Sequence, residues 1–376
     1  MQRKRDVRLV LSICLFVLVA FCATPQQAAA GRPGFDDKEI RIGNFSPQTG
    51  VAAAWGGHGR CPNILYQMVN EQGGIHGRKI KYYVRDDQYN PVVAKAVVKE
   101  LVEKIGILAV TGIVSSACGN AVKDYLAEHQ VIICTAGTAG ISPVLEANIK
   151  TGAPPNRYLF SFVPVYEDSA SVLTQFIVKK LGMKKIGVLY QNDVFGQNGL
   201  KGVKQRLDAY GMKVLEQIPI EVTDKDLGSQ LLRMKNAGVD AAILWLNPSQ
   251  AVLAIKTARG MKYQPQFFSF DGNSDYPLMY KISGGLWEGV ITPAIYPMPQ
   301  SSDPDLLKYR EAAKKFAPEE PWGVVTISGI TVAEPLVEAL RRAGRDLSVE
   351  ATVKALESFR NWKGLGPPIT WSADRR

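Results

Sequence analysis

Histidine is scarce in this chain: only His58, His76 and His129 occur in 376 residues. The sequence also has no G-x-S-x-G elbow, Walker A loop, H-E-x-x-H pair or G-x-G-x-x-G fingerprint. Without a base paired to it, no serine here is a credible nucleophile, and the chain is not expected to be an enzyme. His76 lies in a G-G-I-H-G-R turn and His129 near a helix end, both surface positions, while His58 tunes the first loop rather than acting as a base. Cysteine is sparse too. Three lie beyond the N-terminal segment, Cys61, Cys118 and Cys134, at spacings that match no zinc motif. An oxidising compartment permits one disulfide among them and leaves one thiol over, with the pairing open. Neither a metal nor a cofactor is expected. Charged residues make up 21% of the chain and are interleaved along helices. No basic patch carries interleaved aromatics, so nucleic acid is not an expected partner.

Long apolar runs are absent after residue 30. Before it, Arg3, Lys4, Arg5 and Arg8 precede an apolar run from Leu9 to Phe21, followed by a polar stretch ending Ala28-Ala29-Ala30. These are the charged region, apolar region and A-x-A site of a secretory signal peptide over residues 1–30, with cleavage expected after Ala30. The run is too short to span a bilayer. The bulky Phe21 just before Cys22 argues against a lipoprotein signal. An exported, soluble product is expected, its net charge falling from +10 to about +7 as four basic residues and one acidic residue leave. With 46% hydrophobic residues, the length suffices for two domains, each with its own core.

The apolar periodicity alternates between strand and helix. Ile40 to Phe45 reads as a strand, a helix is expected from about Ala53 to Gln72, and Ile80 to Val84 is a second strand ending at Asp86-Asp87. Asn90-Pro91 starts the next helix, with cap and N1 proline in order. Strands at Ile107 to Val110 and Val131 to Cys134 complete a βαβαβαβ series. After a loose proline-bearing segment between Thr151 and Asn156 the alternation resumes. Helix 168–181 precedes strand 185–190, then strands are expected at 213–218, 241–246 and 266–270 with helices between them. A tail of helices at about 306–316, 324–342 and 349–357 and a short strand 369–371 is too little for a third domain. The fold class is therefore α/β: two Rossmann-like lobes of parallel sheet, the tail completing them across several crossings.

Ligands of open parallel sheets bind at the carboxyl ends of the strands. Ile107 to Asn120, I-L-A-V-T-G-I-V-S-S-A-C-G-N, is a strand, a turn and a helix start that places Ser115 and Ser116 at the positive end of a helix dipole. Either hydroxyl holds a small anion or merely caps the helix; this stretch alone leaves both open. The other strand ends offer Thr49 and Trp55, then Ala136, Gly137 and Thr138, then Phe195, Asn247 and Asp271. Hydroxyls and free N–H groups on one side, with a carboxylate and aromatic walls on the other, form a matched receptor for a zwitterion. Asp271 has a second reading as a turn or helix cap.

Taken in order, the segments I-R-I-G-N-F-S-P-Q-T-G, N-E-Q-G-G-I-H-G-R-K-I, Asp86-Asp87, T-G-I-V-S-S-A, T-A-G-T, Y-Q-N-D-V-F-G-Q-N-G and G-P-P-I-T-W carry a resemblance over nearly the whole mature chain. The chain resembles the leucine/isoleucine/valine-binding, or branched-chain amino-acid, class of periplasmic binding proteins that serve ABC importers. The resemblance implies a type I two-lobed fold with a multi-crossover hinge, closing around a small ligand. Lobe one then comprises residues 31–160 plus 296–358, and lobe two 161–295 plus 359–376. It places the family's first-loop aromatic on Trp55 and its carboxylate-binding groups on Ser115 and the 136–138 segment. Its second-lobe aromatic falls on Phe195, its ammonium-binding acid on Asp271 and a further aromatic contact on Asn247. Asp271 is shorter than the Glu of the best-known members, and Asn247 replaces an aromatic. The implied ligand is an apolar or branched-chain amino acid or another small carboxylate; an aromatic acid or amide is the alternative. The implied partner is an ABC permease in the inner membrane, with a membrane sensor as alternative, and the implied state a monomer in the periplasm.

Overall fold

The structure is a computed structural model that describes residues 34–141 and 156–374. The expected signal peptide, its cleavage site and the segment around Thr151 to Pro155 lie outside the described residues.

Two all-parallel sheets account for the alternation. The first has five strands, β1 (Glu39–Ser46), β2 (Lys79–Asp86), β3 (Ala109–Val110), β4 (Ile132–Cys134) and β5 (Leu159–Phe160), in the order β2-β1-β3-β4-β5. The second holds β6 (Ile186–Gln191), β7 (Glu216–Ile220), β8 (Ala241–Trp245) and β9 (Gln266–Ser269), ordered β7-β6-β8-β9. In both, the chain runs out from an inner strand, returns and continues to the other side, which creates a switch point at the strand ends. Apolar strands such as β8, buried at every position, suit a sheet covered on both faces.

Helices fill the faces: α1 (Pro62–Glu71), α2 (Pro91–Lys99) and α3 (Ser116–Glu128), then α4 (Tyr166–Lys179), α5 (Val194–Asp208), α6 (Gly228–Asn236), α7 (Pro248–Gly260) and α8 (Tyr276–Ser283). The tail adds α9 (Pro304–Phe316), α10 (Val324–Ala343) and α11 (Val349–Glu357). The Asn90-Pro91 start forms as expected, the Asn90 carboxamide accepting from Val92 N at 2.8 Å. The helix expected over Ala53 to Gln72 is instead broken into a 3-10 turn Ala53–Trp55, a short helix Gly56–Arg60 and α1. Three glycines within Gly56 to Gly59 weaken the run, and Pro62 supplies no N–H to continue it. The strand expected at 213–218 sits at Glu216–Ile220.

The tail also packs differently from expectation. Phe359, Ile369 and Trp371, assigned to lobe two, lie in the first sheet's core with Ile40, Phe160 and Ile330, and the Trp371 ring stands 5.3 Å from that of Phe160. The expected strand at 369–371 is a single bridge from Ile369 to Trp362. Aromatic burial against α10 and α11 outweighs the few hydrogen bonds an edge strand would add. Long and nearly all buried, α10 keeps its hydroxyls satisfied: Thr331 donates to Ile327 O at 2.8 Å and Ser328 to Val325 O at 2.8 Å within the helix, and Thr326 to Pro321 O at 2.6 Å just before it. Cys61, Cys118 and Cys134 are buried free thiols, so no disulfide forms among them, and burial pushes the first two up to about 12. No helix among the described residues is long and apolar enough to cross a membrane.

Candidate functional site

The carboxyl ends of the first sheet are tied together before any side chain reaches the cleft. Asn44, fully buried on β1, donates to the carbonyls of Thr111 at 2.6 Å and Gly112 at 3.1 Å beyond β3. Gly112 adopts φ +70°, and a Cβ there would come within 3.1 Å of the His58 carbonyl, so only glycine lets these two loops approach. Asp86 grips the following loop, accepting from Gln48 N at 2.9 Å and from the Thr49 hydroxyl at 2.5 Å.

Between this rim and that of the second sheet lies a cavity of about 70 Å³. At about 30 Å³ for each water in the liquid, that holds about two water molecules. From the first sheet's side come Trp55, His58, Tyr89, Val114, Ser116 and Gly137. From the other come Tyr166, Phe195, Phe270, Asp271 and Gly272, with Val324, Val325 and Ser328 contributed by the start of α10.

Of the ten residues singled out in the sequence, Trp55, Ser116, Gly137, Phe195 and Asp271 line the cavity. The other five do not, Thr49 being held by Asp86 instead. Ser115 caps α3, its fully buried hydroxyl accepting from Cys118 N at 3.2 Å. Ser116 faces the cavity instead, one residue into the helix, and bonds Thr138 Oγ1 at 2.5 Å. Thr138 stands behind Ser116 and bonds the Tyr166 hydroxyl at 2.9 Å, joining the two sides of the cleft. Ala136 is core, packed with Phe45 and Ile133. Asn247 is fully buried and caps α7: its Oδ1 accepts from Gln250 N at 3.1 Å and its Nδ2 donates to Gln191 Oε1 at 3.0 Å.

The aromatic wall is larger than expected. Phe195 packs on Phe270 and Tyr166 with ring centroids 4.8 and 5.1 Å apart, and Trp245 backs all three. Trp55 meets Phe270 edge-on at 5.8 Å and donates its indole N–H to Gly272 O at 2.9 Å, bridging the lobes. Asp271 accepts from Ser169 Oγ at 2.8 Å through one oxygen and takes part in no ion pair among the described residues. Burial raises its carboxyl pKa, so a cation in the cavity is the partner that would restore the charged form. His58 is buried, its Nδ1 lies 2.7 Å from Ser328 Oγ, and burial pushes its pKa down to about 4. No group of three or more His, Cys, Asp or Glu among the described residues is arranged to hold a metal.

Sequence reasoning missed Tyr166, Phe270, Ser328 and the buried face of His58. Phe270 directly precedes Asp271 at a strand end and was findable there. Tyr166 opens α4 and Ser328 lies in the second turn of α10, where the cleft-facing side is set by packing and no local pattern announces it.

A model of the periplasmic binding proteins matches residues 39–376, and the chain belongs to that family. The Leu/Ile/Val-binding protein homolog 2 of Brucella abortus is 26% identical, over 91% of this chain and 88% of that one. The leucine-, isoleucine-, valine-, threonine- and alanine-binding protein of Pseudomonas aeruginosa is 22% identical, over 85% and 82%. Among solved structures, a fatty acid ABC transporter substrate-binding protein from Thermomonospora curvata superposes with a TM-score of 0.79 at 26% identity, covering 91% of this chain and 88% of that one. A branched-chain amino acid ABC transporter protein from Thermus thermophilus with bound valine gives 0.77 at 17% identity, over 90% and 91%. The architecture is the type I periplasmic binding protein fold, two lobes of parallel sheet covered by helices.

Proposed function

We propose that this protein is the extracytoplasmic solute-binding component of an ABC importer, working in the periplasm and handing a small carboxylate-bearing metabolite to an inner-membrane permease. The favoured ligand is an apolar or branched-chain amino acid. Its carboxylate is taken by the Ser116 hydroxyl beside Gly137, its ammonium by Asp271, and its side chain by Trp55, Phe195 and Phe270. One observation carries this reading: a half-buried carboxylate with no cation partner among the described residues shares a small cavity with a hydroxyl at a helix start and an aromatic wall. A ligand that touches both lobes stabilises their closed arrangement over any open one, which makes closure part of the affinity. The role is capture rather than catalysis: the Ser328 hydroxyl beside His58 gives its proton to Val325 O and not to the imidazole.

A second reading is favoured by the raised Asp271 pKa and by the relative described as serving fatty acids. In it the ligand is an acid without an ammonium group, an aromatic acid among them, and Asp271 is protonated and donates. A thermal-shift panel of amino acids, their deamino analogues and benzoate-like acids separates the two. At about a hundred times Kd a true ligand adds about 2.7 kcal/mol of stability. Selective stabilisation by amino acids supports the first reading, and response only to the deamino acids replaces it with the second.

A further inference from the structure

The long helix α10 begins without a cap of its own. Gly323 stands at its N-cap position and has no side chain to accept from the free N–H groups of the first turn. A carboxylate from the other lobe takes that place: Asp275 Oδ2 accepts from Val325 N at 2.9 Å. The same side chain caps its own helix, α8, where Oδ1 accepts from Leu278 N at 3.1 Å. The two helices belong to different cores. Met279 of α8 packs with Leu244 and Phe267 of the second sheet, while Ile330 and Leu336 of α10 pack with Ile40 of the first. One buried carboxylate thus serves two helix starts on opposite sides of the cleft.

Glycine at 323 is what admits it. A Cβ there would stand 2.3 Å from Asp275 Oδ2. The backbone of Gly323, at φ −155°, is extended and open to any residue, so contact and not conformation calls for glycine. Both partners also reach the ligand cavity. Val324, Val325 and Ser328 of α10 line it, and so does Asp271, four residues before Asp275. Between them Gly272 O receives the Trp55 indole from the first lobe. The short turn after β9 therefore carries the carboxylate offered to the ligand and grips lobe one at two points.

We propose that Asp275 is a positioning residue: it sets the first turn of α10 against the cavity from the opposite lobe, so that the cavity wall is complete only while the lobes are closed. The proposal rests on the reading of this cavity as a ligand site and deepens it. A ligand that holds the lobes together keeps Asp275 on α10, and Asp275 on α10 favours the closed state that binds. Without this tie a smaller share of the protein is competent to bind, and the apparent Kd rises in proportion.

The test has two arms on the full-length mature chain. Asp275→Ser leaves a good cap on α8, since serine ranks with aspartate there, but its side chain is one bond shorter and no longer reaches Val325. In the first arm, amide hydrogen exchange read by NMR follows Val325 and Leu278, with and without leucine. Val325 exchanges about tenfold faster or more in the variant while Leu278 keeps its protection; a Val325 amide unchanged in both conditions overturns the proposal. In the second arm, calorimetry uses leucine and its deamino acid, and Kd for whichever binds wild type rises about tenfold in Asp275→Ser. Gly323→Ala, which sets a methyl group against Asp275 Oδ2, raises Kd by a similar factor. The double variant loses no more than either single one, because both break the same contact. An unchanged Kd in Asp275→Ser, or losses that multiply in the double variant, overturn the positioning role. Should neither compound bind wild type, the ligand reading of the cavity fails on its own, and the exchange arm still decides whether Asp275 caps α10.

Discussion

Two adjacent serines separate capping from binding in this cleft, and removing one hydroxyl at a time measures the division. Ser115→Ala deletes the acceptor of the Cys118 N–H at the start of α3, a bond of 3.2 Å in a fully buried setting. Losing such a cap costs about 1 kcal/mol, and up to about 2 where the N–H cannot reach water. Spread over the unfolding entropy of a chain this long, that lowers Tm by about 1–3 °C. Ligand affinity should stay within about twofold, because the hydroxyl does not line the cavity. Ser116→Ala is the converse. Thr138 and Tyr166 keep their own 2.9 Å bond, so little stability is lost, while the donor facing the cavity disappears. A hydrogen bond to a charged group is worth about 1.5–3 kcal/mol, so Kd for a carboxylate ligand rises roughly tenfold to a hundredfold. Differential scanning fluorimetry gives Tm, and titration calorimetry gives Kd on the same preparations. A tenfold affinity loss in Ser115→Ala at constant Tm, with Ser116→Ala neutral, would refute the assignment of these two roles.

Asp271→Asn should abolish amino-acid binding while leaving the fold intact. In wild type, binding that needs the carboxylate form should fade as pH falls through the raised pKa of Asp271, before an ordinary carboxyl protonates; affinity flat down to about pH 4 would remove Asp271 as the ammonium partner. Gly137→Ala drives a Cβ to 1.9 Å from His58 Nε2 and should cost about 1–3 kcal/mol of stability along with the binding; wild-type Tm and Kd in that variant would contradict the close approach. Asn247→Ala strands the buried Gln250 N–H and the Gln191 carboxamide, and should lower stability by about 2–4 kcal/mol with Kd unchanged. Lost affinity at constant Tm would instead return Asn247 to the ligand.

How far the cleft was legible follows from the range of the forces involved. The strand–turn–helix at Ile107 to Asn120 announces a helix start because serine at a cap is a local hydrogen-bond preference, visible in four residues. Which of Ser115 and Ser116 caps and which faces the cavity differs by a rotation of about 100° around the helix, and only the docking of α3 on its sheet sets that rotation. Asp271 and Phe195 were legible as residues just past strand ends, where open parallel sheets place ligands. Asn247 obeyed the same rule and is nonetheless structural: its carboxamide finds Gln191 and Gln250 nearer than the cavity. His58 looked like an ordinary loop residue, since its burial comes from α10, 270 residues further along the chain at Ser328.

The sequence by itself determined the alternation of strand and helix and the two lobes, because periodicity and turn chemistry are properties of neighbouring residues; the family was legible separately, as a resemblance of ordered segments. It also determined the chemical kinds present at the strand ends: hydroxyls and an aromatic in the first half, further aromatics and a carboxylate later. Tertiary structure alone decided which of those groups meet. The placement of Phe359 and Trp371 in the first core, the bridge from Trp55 to Gly272, and the seating of Ser328 behind His58 all join residues far apart in the chain. Such contacts depend on how whole layers pack, and close packing admits one arrangement of side chains where local preference allows several.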